Sequence, residues 1–323
     1  MKRKLDARIL IGTYGVVLAL ALLIAFGWWR YENFLGLFNV MSVLRYNSMF
    51  ALVALGMCFV IMTGGIDLSV GSTAALGSVA AALASPYGIL PGAAAGIGVG
   101  AVVGALNGLL VTRLNIMPFI ATLATMLAAS GSALLLANNQ SVSVSYESGF
   151  TSLGQGNLWV LPIPALIAAG AYIIGSIVLN YTSAGRTILA IGGNEEASRL
   201  MGLRTDAIKF FTYLASGGLA GLAGVILAAQ FGAGQPIEGV GWELFAIAAV
   251  VVGGTLLTGG VGSVGTTLAG VLLLGILFNV LNFENGMGWI SLSAYWQSVI
   301  RGAFLLVVVI IQARLMTSRR AAL

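Results

Sequence analysis

Hydrophobic residues fall along this chain in long unbroken runs, punctuated by short polar stretches rather than interleaved with them. Residues 9–28, 48–62, 70–85, 89–112, 117–137, 158–181, 210–231, 244–257, 266–283 and 293–313 make ten apolar segments. Most reach the length, about 20 residues, at which an α-helix crosses a hydrocarbon core of ~30 Å. None alternates apolar and polar residues as a barrel strand must, and a helix satisfies its own backbone where water is absent. The pattern predicts an all-α fold: a polytopic transmembrane helix bundle of about ten spans, one transmembrane domain over residues 1–323.

The punctuation assigns sides. Lys2, Arg3, Lys4, Arg8, Arg113, Arg186, Arg199, Arg204, Lys209, Arg314, Arg319 and Arg320 fall on one side of a ten-span arrangement, so 12 of the 15 cationic residues obey the positive-inside rule. Both termini are then cytoplasmic. Residues 138–157, charged only at Glu147, and 232–243, with two Glu and no Lys or Arg, are expected outside. Residues 33–46 read as an amphipathic stretch lying at the interface beside the aromatic belt Trp28, Trp29 and Tyr31. The basic start of the chain resembles a signal peptide. The apolar part is too long and lacks an Ala-x-Ala site, so it is expected to remain as the first span.

Composition narrows the function classes. Hydrophobic residues make up 59% and charged residues 8%, with a mean hydropathy of +1.01, whereas roughly a quarter of a soluble domain is charged. The chain has no His, the commonest metal ligand and general base, and one Cys, Cys58, in an apolar run. No catalytic group, metal site or cofactor is therefore expected. The net charge of +5 belongs to the sidedness of the loops, and with no soluble basic domain nucleic acid is not an expected partner. The 45 Gly point to breaks and close helix packing.

Two of those breaks echo each other. Met62-Thr63-Gly64-Gly65-Ile66-Asp67-Leu68-Ser69-Val70-Gly71-Ser72 resembles Leu257-Thr258-Gly259-Gly260-Val261-Gly262-Ser263-Val264-Gly265-Thr266, one residue shorter. Broken helices in corresponding halves point to a translocation pathway, because freed backbone groups are tolerated only inside protein or beside water. Gly64, Gly65, Asp67, Ser69, Gly259 and Gly260 are therefore pathway candidates, with Asn107 and Asn279 as intramembrane amides.

A polar island lies within the cytoplasmic loop 182–209. In Gly192-Gly193-Asn194-Glu195-Glu196-Ala197-Ser198-Arg199-Leu200-Met201-Gly202, Asn194 caps a helix, Glu195 and Glu196 occupy its first turn, Arg199 lies near its last, and Gly202 ends it. The two Gly before the cap allow a sharp turn into it, and Glu195 and Arg199 pair at i,i+4. Ala197, Leu200 and Met201 form an apolar face with nothing of its own to bury against. A helix of about two turns is marginal alone, so it reads as a docking element stabilised by packing on a partner. The plainer reading is a solvated helix with a charged face.

Gly64-Gly65-Ile66-Asp67-Leu68-Ser69-Val70-Gly71, Asn107-Gly108 followed by Pro118-Phe119-Ile120-Ala121-Thr122-Leu123, Ala190-Ile191-Gly192-Gly193-Asn194-Glu195-Glu196-Ala197, and Val252-Gly253-Gly254 to Gly265 resemble, in order and spacing, the ribose-type sugar permeases of bacterial ATP-binding-cassette importers. The resemblance covers nearly the whole chain. It implies an inner-membrane permease working with a second permease, identical or paralogous, and an ATPase subunit with two nucleotide-binding halves. It also implies a periplasmic sugar-binding protein, a small-molecule sugar as cargo, and membrane lipid as surroundings. By position, Gly193, Asn194, Glu195, Glu196, Ala197, Arg199, Leu200, Met201 and Gly202 match the segment that couples to the ATPase. No phosphate-cradling Gly-Lys-Ser/Thr loop is present, so hydrolysis is expected on another chain and this one is not an enzyme.

Several choices stay open. Asp67, an acid at membrane depth, is a functional candidate by default, yet Asp67 or Ser69 can equally cap the helix that follows, and capping is preferred. Arg301 either snorkels or pairs with a loop acid. Asn107, Asn279, Asn282 and Gln297 suit either sugar hydroxyls or interhelical bonding. An ion-coupled secondary transporter calls for buried carboxylates or His, of which Asp67 is the sole example. A passive channel calls for a ring of charges, which is missing. A branched-chain amino-acid permease is the nearest rival, but its substrate brings two charges into a path lined by small, hydroxyl and amide side chains.

Overall fold

The computed structural model describes residues 7–286 and the isolated positions 296, 299, 300, 302, 303 and 306; the expected tenth span, Arg301, Gln297 and the last cationic cluster lie outside them. Residues 7–286 form twelve α-helices in order: α1 Ala7–Arg30, α2 Leu37–Met62, α3 Val70–Ala84, α4 Ile89–Thr112, α5 Pro118–Leu136, α6 Ser152–Gln155, α7 Ile163–Tyr181, α8 Ser183–Gly193, α9 Glu195–Leu200, α10 Thr205–Phe231, α11 Trp242–Val252 and α12 Val264–Gly286. Six of them, α2, α4, α5, α7, α10 and α12, are long and apolar enough to cross a membrane.

Two expectations change. Residues 33–46 do not form a separate interfacial element: from Leu37 onward they are the first half of α2, one continuous helix of 26 residues. Its polar positions are tolerated because Asn39, Asn47 and Ser48 bond to neighbouring groups rather than to water. The eighth apolar segment is also shorter than its hydropathy suggests. At 11 residues, α11 ends at Val252, where Gly253 and Gly254 follow, and spans only ~16 Å. With α3, of 15 residues, it is one of two half-length helices, each bordering a glycine break.

The centre of the bundle is α10, packed on α2, α3 and α4. Its contact with α4 is built on a ladder at every fourth position: Gly96, Gly100, Gly104 and Gly108 are all buried and face α10. A Cβ on Gly100 would lie 2.7 Å from the Cα of Gly221, and one on Gly217 would lie 2.7 Å from the Cα of Gly104. Small residues at this spacing let backbones touch, which is how helices associate when lipid removes the hydrophobic drive between them. The last half of α2, Ala51 to Met62, is almost wholly buried in the largest apolar cluster, together with α7, α10, α11 and α12. Two short antiparallel pairs stitch the connecting loops: Val142–Ser143 with Ala233–Gly234, and Asn157–Leu158 with Leu161–Pro162.

Candidate functional site

The polar island folds largely as its residues dictate. Asn194 caps α9, its Oδ1 accepting from the backbone N–H of Ala197 at 2.9 Å. Gly202, at φ +79°, ends the turn that follows. Glu195 meets Arg199 at 3.5 Å, as i,i+4 spacing predicts, but its shorter contact is with Lys209 of α10, whose Nζ lies 2.9 Å from Oε2. Arg199 in turn meets Asp206 at 2.9 Å. Lys209 and Asp206 are the site residues that the helix-capping pattern misses; both lie in the first turns of the next helix, facing back. Leu200 and Met201 are 84% and 70% exposed, Ala197 is half-buried and Glu196 is exposed. The helix is therefore braced to the bundle by ion pairs while its apolar tip stands free.

Gly192 and Gly193 do not make the turn into α9. They are the last two residues of α8, and the chain turns at Asn194, with φ −162° and ψ 104°. Gly192 serves close approach instead. A Cβ there would collide with the carbonyl of Met62 and the amide of Gly260. The amide of Gly260 itself donates to that Met62 carbonyl at 3.0 Å. A Cβ on Gly259 would lie 2.8 Å from the amide of Gly64 and 2.9 Å from the Cα of Gly192. Gly259 and Gly260 adopt φ of +84° and +78°, which other residues rarely do. The two breaks that echo each other in sequence thus touch each other in space, and the root of α9 is wedged against both.

Beyond this junction, Asp67 is the hub of a buried polar cluster. Its carboxylate accepts from the Ser69 N–H at 3.0 Å, the Ser69 hydroxyl at 2.6 Å and the Ser216 hydroxyl of α10 at 2.8 Å. Asn107 of α4 donates to the Ser69 hydroxyl at 2.8 Å and accepts from Thr125 of α5 at 2.6 Å. Asp67, Ser69 and Asn107 are at most 1% exposed. Asp67 accepts from the N–H of Ser69, the residue just ahead of α3, and no side chain caps the first turn of α3 itself. The same carboxylate ties the first break to α10. Gly65 leaves room for the buried hydroxyl of Tyr213, which has no hydrogen-bond partner among the described residues.

Asn279 stands apart from the other pathway candidates. It exchanges two amide hydrogen bonds with Asn39, at 3.1 and 2.9 Å, clamping α12 to α2. It also borders a cavity of about 570 Å³ between α2, α11 and α12, with Asn282 beside it. Fifteen residues of α12 separate it from the helix start at Val264, roughly 22 Å of rise. The candidates therefore divide into a glycine junction at one end, a polar cluster in the middle, and amides around a cavity at the other end.

Residues 39–309 match the family described as "Branched-chain amino acid transport system / permease component". The ribose import permease protein of Escherichia coli (strain K12) is 38% identical over 300 residues, covering 91% of this chain and 92% of its own. The ribose import permease protein of Bacillus subtilis (strain 168) is 38% identical over 285 residues, 87% of each chain. The L-arabinose transport system permease protein of Escherichia coli (strain K12) is 36% identical over 299 residues, covering 92% and 89%. No solved structure gives a significant match. With so much of the chain matched, and with six helices long enough to span a bilayer, this multi-pass membrane protein belongs to that family of transport permeases.

Proposed function

We propose that this chain is the membrane-spanning permease subunit of an ATP-driven importer for a monosaccharide, a pentose, hexose or related neutral polyol. It works in the bacterial inner membrane as one domain of ten spans, with both termini and the loop 182–209 in the cytoplasm. It pairs with a second permease and receives sugar from a periplasmic binding protein. ATP is hydrolysed on a separate subunit with two nucleotide-binding halves, into which α9 docks through Glu196, Leu200 and Met201. Gly64, Gly65, Asp67, Ser69, Asn107, Gly259, Gly260 and Asn279 belong to the moving or lining parts of the pathway.

The observation that carries this reading is the wedging of Gly192, at the root of α9, against both glycine breaks. Closure of the ATPase halves displaces α9 as a rigid lever, and the backbone groups nearest its root are the carbonyl of Met62, which ends α2 at the first break, and Gly259 and Gly260 of the second. A displacement there shifts both breaks together. The ribose and arabinose relatives favour a sugar over the amino acid of the family description. No Lys or Arg lines the cavity among its described residues, so the carboxylate of an amino acid finds no cation there.

The test is uptake of labelled D-ribose, L-arabinose and L-leucine into vesicles holding this chain with its ATPase and binding protein, driven by ATP or by an imposed ion gradient. ATP-driven pentose uptake, abolished by Glu196→Arg with the protein still folded in the membrane, is the expected result. Gradient-driven uptake by this chain alone, or ATP-driven uptake of leucine alone, overturns the proposal.

A further inference from the structure

The cavity beside Asn279 has a chemistry of its own. Its volume, about 570 Å³, lies within the ~300–1,000 Å³ typical of small-molecule sites. One wall is aromatic: the ring of Phe50 sits 4.8 Å from Trp242 and 4.5 Å from Phe245, with Tyr46 5.9 Å away and 46% exposed at the mouth. Asn47, Asn279 and Asn282, from α2 and α12, add polar groups to the lining. At the level of Asn47 the neighbouring helix carries Gly275, where any Cβ would strike the amide. Glu238 completes the lining from the loop before α11. Among the described residues its carboxylate makes no hydrogen bond or ion pair.

We infer that this cavity is a carbohydrate site within the permease, in which Glu238 accepts two sugar hydroxyls while the Phe50, Phe245 and Tyr46 rings receive the sugar's C–H face. The argument is one of matching groups. An ionised carboxylate accepts short, strong hydrogen bonds from O–H donors, and adjacent hydroxyls of a sugar present two. The negative face of an aromatic ring attracts the electropositive C–H edge of a saturated ring. Asn279 holds Asn39 through one N–H and its Oδ1, and an amide's second hydrogen and second lone pair can serve a further hydroxyl. An anion meets Glu238 as a like charge, and no lining cation offsets it. A quaternary ammonium would suit the aromatic wall and the carboxylate, but it brings no hydroxyl for the carboxylate to accept from, and the importer reading favours the neutral cargo.

The inference rests on the sugar-importer reading for its cargo, so the experiment separates the two. The permease alone, in lipid nanodiscs without ATPase or binding protein, is dialysed against labelled D-ribose and L-arabinose, with choline as competitor. Saturable retention of at least one sugar is expected, unaffected by choline, and about tenfold weaker in Glu238→Gln, the size of change that losing a charged hydrogen bond brings. Phe245→Leu, which keeps the apolar volume, is expected to weaken retention as well. Absence of saturable retention, equal retention in both variants and wild type, or displacement by choline overturns the site. Glu238→Gln that leaves retention intact, but raises the binding-protein concentration needed for half-maximal uptake, also overturns it and assigns Glu238 to docking of that protein. Retention without ATP-driven uptake by the wild type leaves the site standing and removes the importer reading. ATP-driven uptake without retention does the reverse.

Discussion

The backbone amide of Gly260 donates to the carbonyl of Met62 at 3.0 Å, joining the second glycine break to the last residue of α2 across 198 positions of sequence. Gly192 lies against the same two groups with no room for a side chain.

Gly192→Ala is therefore expected to force the end of α8 away from both breaks. Overpacking of this kind costs ~1–3 kcal/mol, so ATP-driven uptake should fall about tenfold or more. Gly193→Ala, one residue on, adds a methyl group with nothing within 4 Å and should leave uptake unchanged. Parallel uptake and ATP-hydrolysis measurements on the two variants check the contrast; equal behaviour would remove the junction from the mechanism.

The ion pairs that hold α9 predict a rescue. Glu195→Lys and Lys209→Glu each leave two like charges facing at a contact that is now 2.9 Å, and each is expected to lower uptake. The double variant restores the opposite-sign pair and should recover most of it. Because the Glu195 side chain is 38% exposed, the coupling energy in a double-mutant cycle should be modest, about 0.5–1 kcal/mol, and should shrink at high salt.

The Asp67 cluster predicts a stability effect with a reporter already in place. Asp67→Ala strips three donors of their acceptor inside the bundle, at ~1–3 kcal/mol for each group left unsatisfied. Ser216→Ala removes one of those bonds and should cost less. Cys58, the chain's one cysteine, is fully buried, so reaction with a thiol-sensitive dye on heating reads unfolding directly. The midpoint should fall by several degrees in Asp67→Ala and by less in Ser216→Ala.

The glycine ladder supplies a second internal contrast. Gly100→Ala places a methyl group against Gly217 and Gly221 of α10, whereas Gly98→Ala, on the same helix, meets nothing within 4 Å. The first should lower the same unfolding midpoint by several degrees, and the second should hold it or raise it slightly, since Ala is the better helix former.

What the sequence discloses and what it hides follow from the range of the interactions. The cap at Asn194, the stop at Gly202 and the Glu195–Arg199 pair are set by residues within a turn or two of each other, and all are legible. The break at Gly64 is legible because local helical bonding fails there whatever surrounds it. The contact of Gly192 with Met62 and Gly260 joins three distant stretches through bare backbone, which leaves no side-chain signature beyond a glycine. Lys209 is hidden because nothing local says that α10 begins alongside α9. The stretch from Leu37 to Tyr46 misleads because a polar residue such as Asn39, paired with Asn279 of α12, looks in one dimension like a residue facing water.

Within α2, Asn47 and Met62 are 15 residues apart, about 22 Å of helix rise. One lines the cavity and the other forms the floor of the glycine junction. Groups so far apart, with no shared neighbours, respond to substitution almost independently. On the proposed reading, substitutions around the cavity should therefore leave the coupling of α9 to the breaks undisturbed, so that a change of diet would need no change of engine.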